Sequence, residues 1–419
     1  MTRFLRGAAF ALLATIFTAG SASAVDVVFY HYQQGGNYET FRAILDDFEK
    51  ANPGIEVTDI FKQSSTITAD VQAALAAGRP VDVATVIGKN IIFFLNNTPA
   101  VPLNGDGDTA WLDAYLPNFL DLGRVGDNIY AIPHAYGTPM IYYNKDIFRE
   151  AGLDPENPPK TWDEVFTAAK QIKSKTDKFG VAHLHASMGD YGTMVMVTNA
   201  GSTYLTKDGT EAGFDDANGI AILQMWQDLA TSGVMPIAND RQWGSAFQGG
   251  KMGMYLTSSA ALRGYIAAAK DTFDLGVANY PLWKDQPRRV NNSGAALMLY
   301  APEGERREAS MKLLRYISQQ TVSNRWSRES GYMPVIQNPK NDPEMKAYIE
   351  SFPYVQPVIA QMADTVPTAT WPAEGTLEAQ TTIRAMLDEL WAGKRPASEI
   401  VPEAVARVNA ALAPNKKTN

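Results

Sequence analysis

The 419-residue chain has four histidines and no cysteine, which leaves little for metal or thiol chemistry. His183 and His185 alternate on an extended segment, so both imidazoles would face one side of a strand, as in half of a zinc site. The other two, His31 and His134, lie far away in sequence, and the pair reads as partly buried structure. No G-x-S-x-G elbow occurs, since "NNSGAA" lacks the first glycine. "GSAFQGGKM" has the outline of a phosphate loop, but Gly250 stands where the lysine belongs and no Ser or Thr follows Lys251. Asn104, Asp106 and Asp108 alternate as in a calcium loop. The sixth place of that loop is not glycine and the twelfth is Tyr115, so a polar surface turn is expected. These motifs mark no catalytic centre, although a carboxylate pair assembled in three dimensions would escape them.

A different chemistry stands out. Tyr30, Tyr32, Tyr136, Tyr191, Trp243, Trp283, Tyr332 and Trp371 sit beside glycine, proline or small polar residues. Aromatic faces can cover the C–H faces of a sugar while short polar groups pair its hydroxyls. Each ring taken singly also fits a core position. "HYQQGG", "KQSSTIT" and "LTSSAAL" add hydroxyls, amides and free backbone N–H groups at helix starts, where a polyol or an anion can be held.

The elements that position these residues follow from the hydrophobic periods. "VDVVFYHY" reads as a strand. A helix follows with Phe41, Ile44, Leu45 and Phe48 on one face, and Asn52-Pro53-Gly54 stops it. "IEVTDIF" and "VDVATVI" are further strands, separated by the helix "ITADVQAALAAG". Such alternation implies parallel pairing, with ligands beyond the carboxyl ends of the strands. The ends to watch are therefore residues 31–37, 62–66 and 87–90. "IYAIPHAYGTPMIYYN" reads as two extended pieces broken at "PHAYGTP", a crossing between two lobes. In "YYNKDIFREAGLDPENPPKTWDE", Asn144 caps a short helix that Gly152 ends. Thr161 and Glu164 there form a capping box for the next helix.

The first residues carry Arg3 and Arg6, then an apolar run, then Ala22-Ser23-Ala24, which is the layout of a cleavable secretory signal. The mature chain is long enough for two domains. Without cysteine an exported fold must rest on a large core, and no lipid anchor through cysteine is available. A free periplasmic protein is expected. Net charge is −8 with both signs intermixed, which argues for solubility and against a nucleic-acid partner.

"GTPMIYYNKDIFREAGLDPENPPKTWDEV", "NNSGAALMLY", "SGYMPV" and "IRAMLDELWAGKRPASEIVPEAV" occur in the order found in solute-binding proteins of ABC importers. Over nearly the whole mature chain the sequence resembles the branch that includes maltose-, multiple-sugar- and glycerol-3-phosphate-binding proteins. The resemblance implies an α/β, two-lobed periplasmic binding protein fold, each lobe a mostly parallel sheet flanked by helices, with the ligand cleft at the hinge. Its implied segments are 25–134 with 292–337 for lobe I and 137–290 with 340–419 for lobe II, crossing near 135, 291 and 338. It implies a monomer that hands a sugar, polyol or glycerol phosphate to permease subunits, with no cofactor, metal or catalysis. A secreted glycosidase or phosphodiesterase is the alternative.

The expected ligand contacts are His31, Tyr32 and Gln33, Ser64 and Ser65, Gly88, Tyr136 and Gly137, Tyr191, Trp243, Ser258 and Ser259, Trp283, Gly294, Tyr332, Trp371 and Glu374. Two departures weigh against a phosphate ligand. Ile87-Gly88 stands where glycerol-phosphate binders have Tyr-Glu, and "TWPAEGTLEAQ" lacks their arginine. Arg241, Arg263 and Arg328 are the candidate substitutes, and a neutral sugar or polyol fits the departures at least as well.

Overall fold

The computed structural model describes residues 24–415 apart from 65, 184–189, 237 and 373. The expected signal, Ser65 and His185 lie outside the described residues.

Two sheets organise the chain. The first has the order β2-β1-β3-β12-β6, built from β1 (Val25–His31), β2 (Ile55–Phe61), β3 (Val83–Ile87), β6 (Ala131–Gly137) and β12 (Ser293–Leu299). The second has the order β10-β7-β9-β8, from β7 (Pro139–Asn144), β8 (Phe179–His183), β9 (Met252–Ser258) and β10 (Leu275–Asn279). Both sheets are mixed. β1 runs parallel to β2 and β3, and β8 runs parallel to β9. β12 is antiparallel to β3 and β6, and β7 to β9 and β10, because these strands enter from the opposite lobe. A small hairpin of β4 (Arg124–Val125) and β5 (Asn128–Ile129) leads into β6.

Helices cover the first sheet: α1 (Gly35–Ala51), α2 (Ile67–Ala76), α3 (Ile91–Asn97), α4 (Pro117–Leu120), α11 (Glu305–Ile317) and α12 (Gln320–Ser330). The buried face of α1 is Phe41, Ile44, Leu45 and Phe48, as its period predicts. Around the second sheet lie α5 (Lys145–Ala151), α6 (Trp162–Lys175), α7 (Tyr191–Asn199), α8 (Ala217–Thr231), α9 (Asp240–Gln248) and α10 (Leu262–Ala269). α13 (Pro343–Ser351) packs on α12, and α14 (Gln356–Gln361) packs on β10. α15 (Thr376–Ala392) and α16 (Ala397–Leu412) pack on α8.

The punctuation after β7 behaves as its residues require. Asn144 Oδ1 accepts the Asp146 and Ile147 N–H groups, both at 3.0 Å, and Gly152 ends α5 with φ 76°. Thr161 and Glu164 close a capping box at the start of α6. The break expected across "PHAYGTP" is confined to Thr138, and β6 runs unbroken through Pro133. A proline is tolerated there because β6 is the edge of its sheet.

The chain passes between the sheets at Thr138 and again between β10 and β12. In that second passage, β11 (Val290–Asn291) pairs in parallel with β13 (Thr365–Val366), a segment from the later part of the chain. Gln361 ties the passages together. Its Oε1 accepts the Tyr280 N–H at 2.7 Å, and its Nε2 donates to Thr138 Oγ1 at 2.9 Å and Pro139 O at 2.8 Å.

Candidate functional site

Strand registers define which ends meet. Ala295 pairs with Ile87 and Ser293 with Gly137, so the first sheet turns the ends of β1, β3 and β6 and the start of β12 to one edge. In the second sheet, Pro139 pairs with Ser258 and His183 with Leu256. The start of β7 therefore lies beside the ends of β8 and β9. The two edges face each other across Thr138, and the seam between them is the candidate site.

On the first edge Gly88, Tyr136 and Gly294 come together. A Cβ on Gly88 would stand 3.5 Å from the Tyr136 hydroxyl and 3.4 Å from Gly294 O. Gly294 has φ 155°, and a Cβ there would lie 1.9 Å from Ala135 O, so only glycine fits. The Tyr32 and Tyr332 hydroxyls are neighbours. Burial, then Tyr332, then Tyr136 raise the Tyr32 phenol well above its ordinary range, so it stays protonated and can donate. Burial alone does the same for Tyr136, whose hydroxyl is buried without a protein partner. Gln33 Nε2 is likewise buried without one. The Tyr332 ring stacks on Trp326 at 5.8 Å, and Trp326 stacks on His134 at 4.8 Å.

Gly137 and the serines at the end of β9 and just after it, Ser258 and Ser259, approach each other across the edges. A Cβ on Gly137 would lie 2.6 Å from Ser258 Oγ and 3.2 Å from Ser259 Oγ. Ser259 is a clasp: its N–H donates to Thr138 O at 2.7 Å, and its Oγ accepts the Thr138 N–H at 3.1 Å. Ser258 Oγ accepts the Ala260 N–H at 3.2 Å. Tyr191, the first residue of α7, donates its hydroxyl to Asn291 O at 2.8 Å. Asn291 Oδ1, Asn292 Nδ2 and Thr193 Oγ1 are buried without protein partners around that contact. Trp371 reaches both edges, its N–H donating to Lys89 O at 3.2 Å and its Nε1 to Asp190 Oδ2 at 2.8 Å.

Other expected contacts have different surroundings. His31 is fully buried under α1, its Nε2 3.2 Å from Asp59 Oδ2. Its Nδ1 accepts the Gln33 N–H at 3.1 Å, which assigns the ring proton to Nε2. Burial lowers its pKa against the opposing pull of Asp59. Ser64 is exposed in the turn after β2. Trp243 stacks on Trp391 of α15 at 5.6 Å and donates to Pro236 O. Trp283 is buried next to Leu282, which bridges to Thr161 at the start of α6. Glu374 is exposed, and its backbone pairs with Asn415. His183 bonds Tyr280 Oη at 2.7 Å, and among the described residues no cluster could hold a metal ion. Asp106 and Asp108 are exposed and paired with Arg315.

Residues outside the expected set also reach the seam: Lys89, Asp190, Thr193, Asn291 and Asn292. Lys89 lies within the strand end singled out from the sequence, residues 87–90. The asparagines lie in "NNSG", a stretch whose sequence resembles an incomplete nucleophile elbow.

Two α/β lobes joined by several passages of chain, with glycines, tyrosines and amides along the facing strand ends, define a solute-binding protein. The family model for bacterial extracellular solute-binding proteins matches residues 43–353, and the chain belongs to that family. It is the solute-binding component of an ABC importer, in the branch that includes the maltose- and glycerol-3-phosphate-binding proteins. Among curated relatives, the chain is 25% identical to the sn-glycerol-3-phosphate-binding periplasmic protein UgpB of Agrobacterium fabrum, covering 97% of each chain. Among solved structures, the cyclic alpha-maltosyl-1,6-maltose binding protein of Arthrobacter globiformis matches with a TM-score of 0.83 and 26% identity, over 93% of this chain and 99% of that one. UgpB of Mycobacterium tuberculosis in complex with glycerophosphocholine shares the fold, with a TM-score of 0.81 and 21% identity over 94% and 100% of the two chains.

Proposed function

We propose that the protein works in the periplasm as a monomer without catalytic activity. It closes its lobes on a neutral polyhydroxylated solute, a sugar or polyol, and delivers it to the permease subunits of its importer. Residues 25–137 with 292–337 form lobe I in this reading, and 139–290 with 340–415 lobe II. The contacts are Tyr32, Gln33, Gly88, Tyr136, Gly137, Gly294 and Tyr332 from one side and Ser258 from the other, with Tyr191 and Trp371 closing over them.

One observation carries the choice of a neutral ligand. The buried polar atoms without protein partners at the seam, on Gln33, Tyr136, Thr193, Asn291 and Asn292, are all uncharged. Such atoms cost stability unless a ligand or water pairs them, and hydroxyl groups both donate and accept. A phosphate dianion would need a cation. Lys89 lies against Asp190 at 3.4 Å, Arg328 gives its Nη2 to Glu344 and keeps Nη1 buried without a protein partner away from those five residues, on α12, and Arg263 donates to the Arg328 carbonyl. Arg241 is exposed on α9. Binding that favours the closed arrangement supplies the signal read by the permease.

A thermal-shift screen of neutral mono-, di- and trisaccharides, polyols, sn-glycerol 3-phosphate and glycerophosphodiesters tests this. A ligand at a hundred times its Kd adds about 2.7 kcal/mol, which for a chain of this size moves the midpoint by about 3 °C. Stabilisation by phosphates and by no neutral sugar or polyol refutes the neutral-ligand reading. Turnover of a hit refutes the binding-only reading.

A further inference from the structure

One acid at the seam is built differently from the polar groups around it. Asp190 is fully buried at the start of α7. Its Oδ2 is occupied twice, by Tyr204 Oη and Trp371 Nε1, each at 2.8 Å. Both donors are held in place: Tyr204 stacks on Phe214 at 5.5 Å and meets Trp371 edge-on at 6.1 Å. The carboxylate is therefore fixed with Oδ1 turned to the opposite edge, where Lys89 Nζ stands 3.4 Å away. That separation exceeds the 2.7–2.9 Å usual for a charge-assisted hydrogen bond. Thr193 Oγ1, fully buried and without a protein partner, follows one turn along α7.

We propose that Asp190 Oδ1 and Lys89 Nζ form a subsite that reads one hydroxyl of the solute, and that the same carboxylate bars a phosphate monoester from this end of the seam. An alcohol meets both groups at once, donating its proton to Asp190 Oδ1 and accepting from Lys89 Nζ. A ketone or ether oxygen satisfies only the lysine, and an ammonium only the acid. A phosphate dianion satisfies the lysine but sets its own charge against a carboxylate that is fully buried from bulk solvent. The subsite also draws on both lobes, with Lys89 just after β3 and Asp190 at the start of α7. The hydroxyl is thus held fully only in the closed arrangement. This inference rests on the neutral-solute reading above, and it adds the group recognised and the residues that recognise it.

The test is calorimetric titration of the parent protein, Asp190→Asn and Lys89→Met with glucose, maltose and glycerol, and with glucose 1-phosphate and sn-glycerol 3-phosphate. Asp190→Asn keeps an oxygen for Tyr204 and Trp371, so the fold is retained. Lys89→Met alters a side chain that is 26% exposed, and it tests the subsite independently should the first variant unfold. The parent is expected to bind a neutral probe and to reject its phosphate ester. Asp190→Asn should weaken the neutral probe at least tenfold and shrink the discrimination against the ester by a similar factor. Lys89→Met should weaken the neutral probe at least fivefold while the ester stays excluded. Neutral binding within twofold of the parent in both variants overturns the subsite and leaves the neutral-solute reading standing. A parent that binds the phosphate esters and no neutral probe overturns both.

Discussion

Gln361 offers a direct measure of how the passages between the lobes are held. It is fully buried, and its amide satisfies a backbone N–H of Tyr280, the Thr138 hydroxyl and the Pro139 carbonyl. Gln361→Ala strands the Tyr280 donor and the Pro139 acceptor in an apolar setting. Each stranded group costs about 1–3 kcal/mol, so the pair amounts to about 4 kcal/mol after partial relaxation. With an unfolding entropy of about 2.1 cal/mol/K per residue, a chain of this length loses about 5 °C in its melting midpoint. Circular dichroism or calorimetry at neutral pH measures it. Gln361→Glu sharpens the test. Its carboxylate still accepts from Tyr280 but faces the Pro139 carbonyl with a second acceptor. The variant is therefore expected to melt low at neutral pH and to recover towards the parent on acidification, when the protonated acid donates again. A Gln361→Ala melt within about 1 °C of the parent refutes the claim that this amide closes the hinge.

Other consequences are equally open to measurement. Burial lowers the His134 pKa to about 3, so the unfolded chain binds the proton more readily. The resulting stability is complete above the ordinary histidine value of about 6.5 and is lost as pH falls towards 3, at about 1.4 kcal/mol per pH unit. His134→Phe should flatten this acid limb in denaturant titrations, and an unchanged slope refutes the assignment. Gly294→Ala brings a Cβ against Ala135 O at the seam edge of the first sheet. It is expected to cost more than about 3 kcal/mol or to abolish soluble expression, and a parent-like denaturant midpoint contradicts the close approach. Intact-mass analysis of the exported protein should place the mature N-terminus at Val25, the first residue of β1. A mass that retains residues 1–24 refutes cleavage there.

Much of the fold was legible because its elements carry strong local signals. The apolar stripe of α1, the Asn144 cap and the Thr161–Glu164 box each decide structure within a few residues. The strand-end rule also singled out Tyr32 and Gly88 at one edge of the first sheet, where Tyr136 and Gly294, expected from the family resemblance, join them. Charged pairs were not legible. Lys89 and Asp190 are 101 positions apart, and only the packing of one lobe on the other makes them neighbours. Single aromatics were equally ambiguous, since Trp371 and Trp243 look alike in sequence. One donates to a buried carboxylate at the seam, and the other stacks within the α9–α15 layer. His31 shows the same limit: the turn it begins leads to the seam, while its ring points back to Asp59.

The position of β12 has a consequence for the order of assembly. It lies between β3 and β6, so β6 cannot join the first sheet until residues 293–299 are available. A chain emerging from its N-terminus therefore cannot complete its first lobe until most of the second has followed. Closing so long a loop before any contact rewards it makes folding slow. The early segments stay uncommitted, and a nascent chain in that condition can still be threaded through a narrow passage.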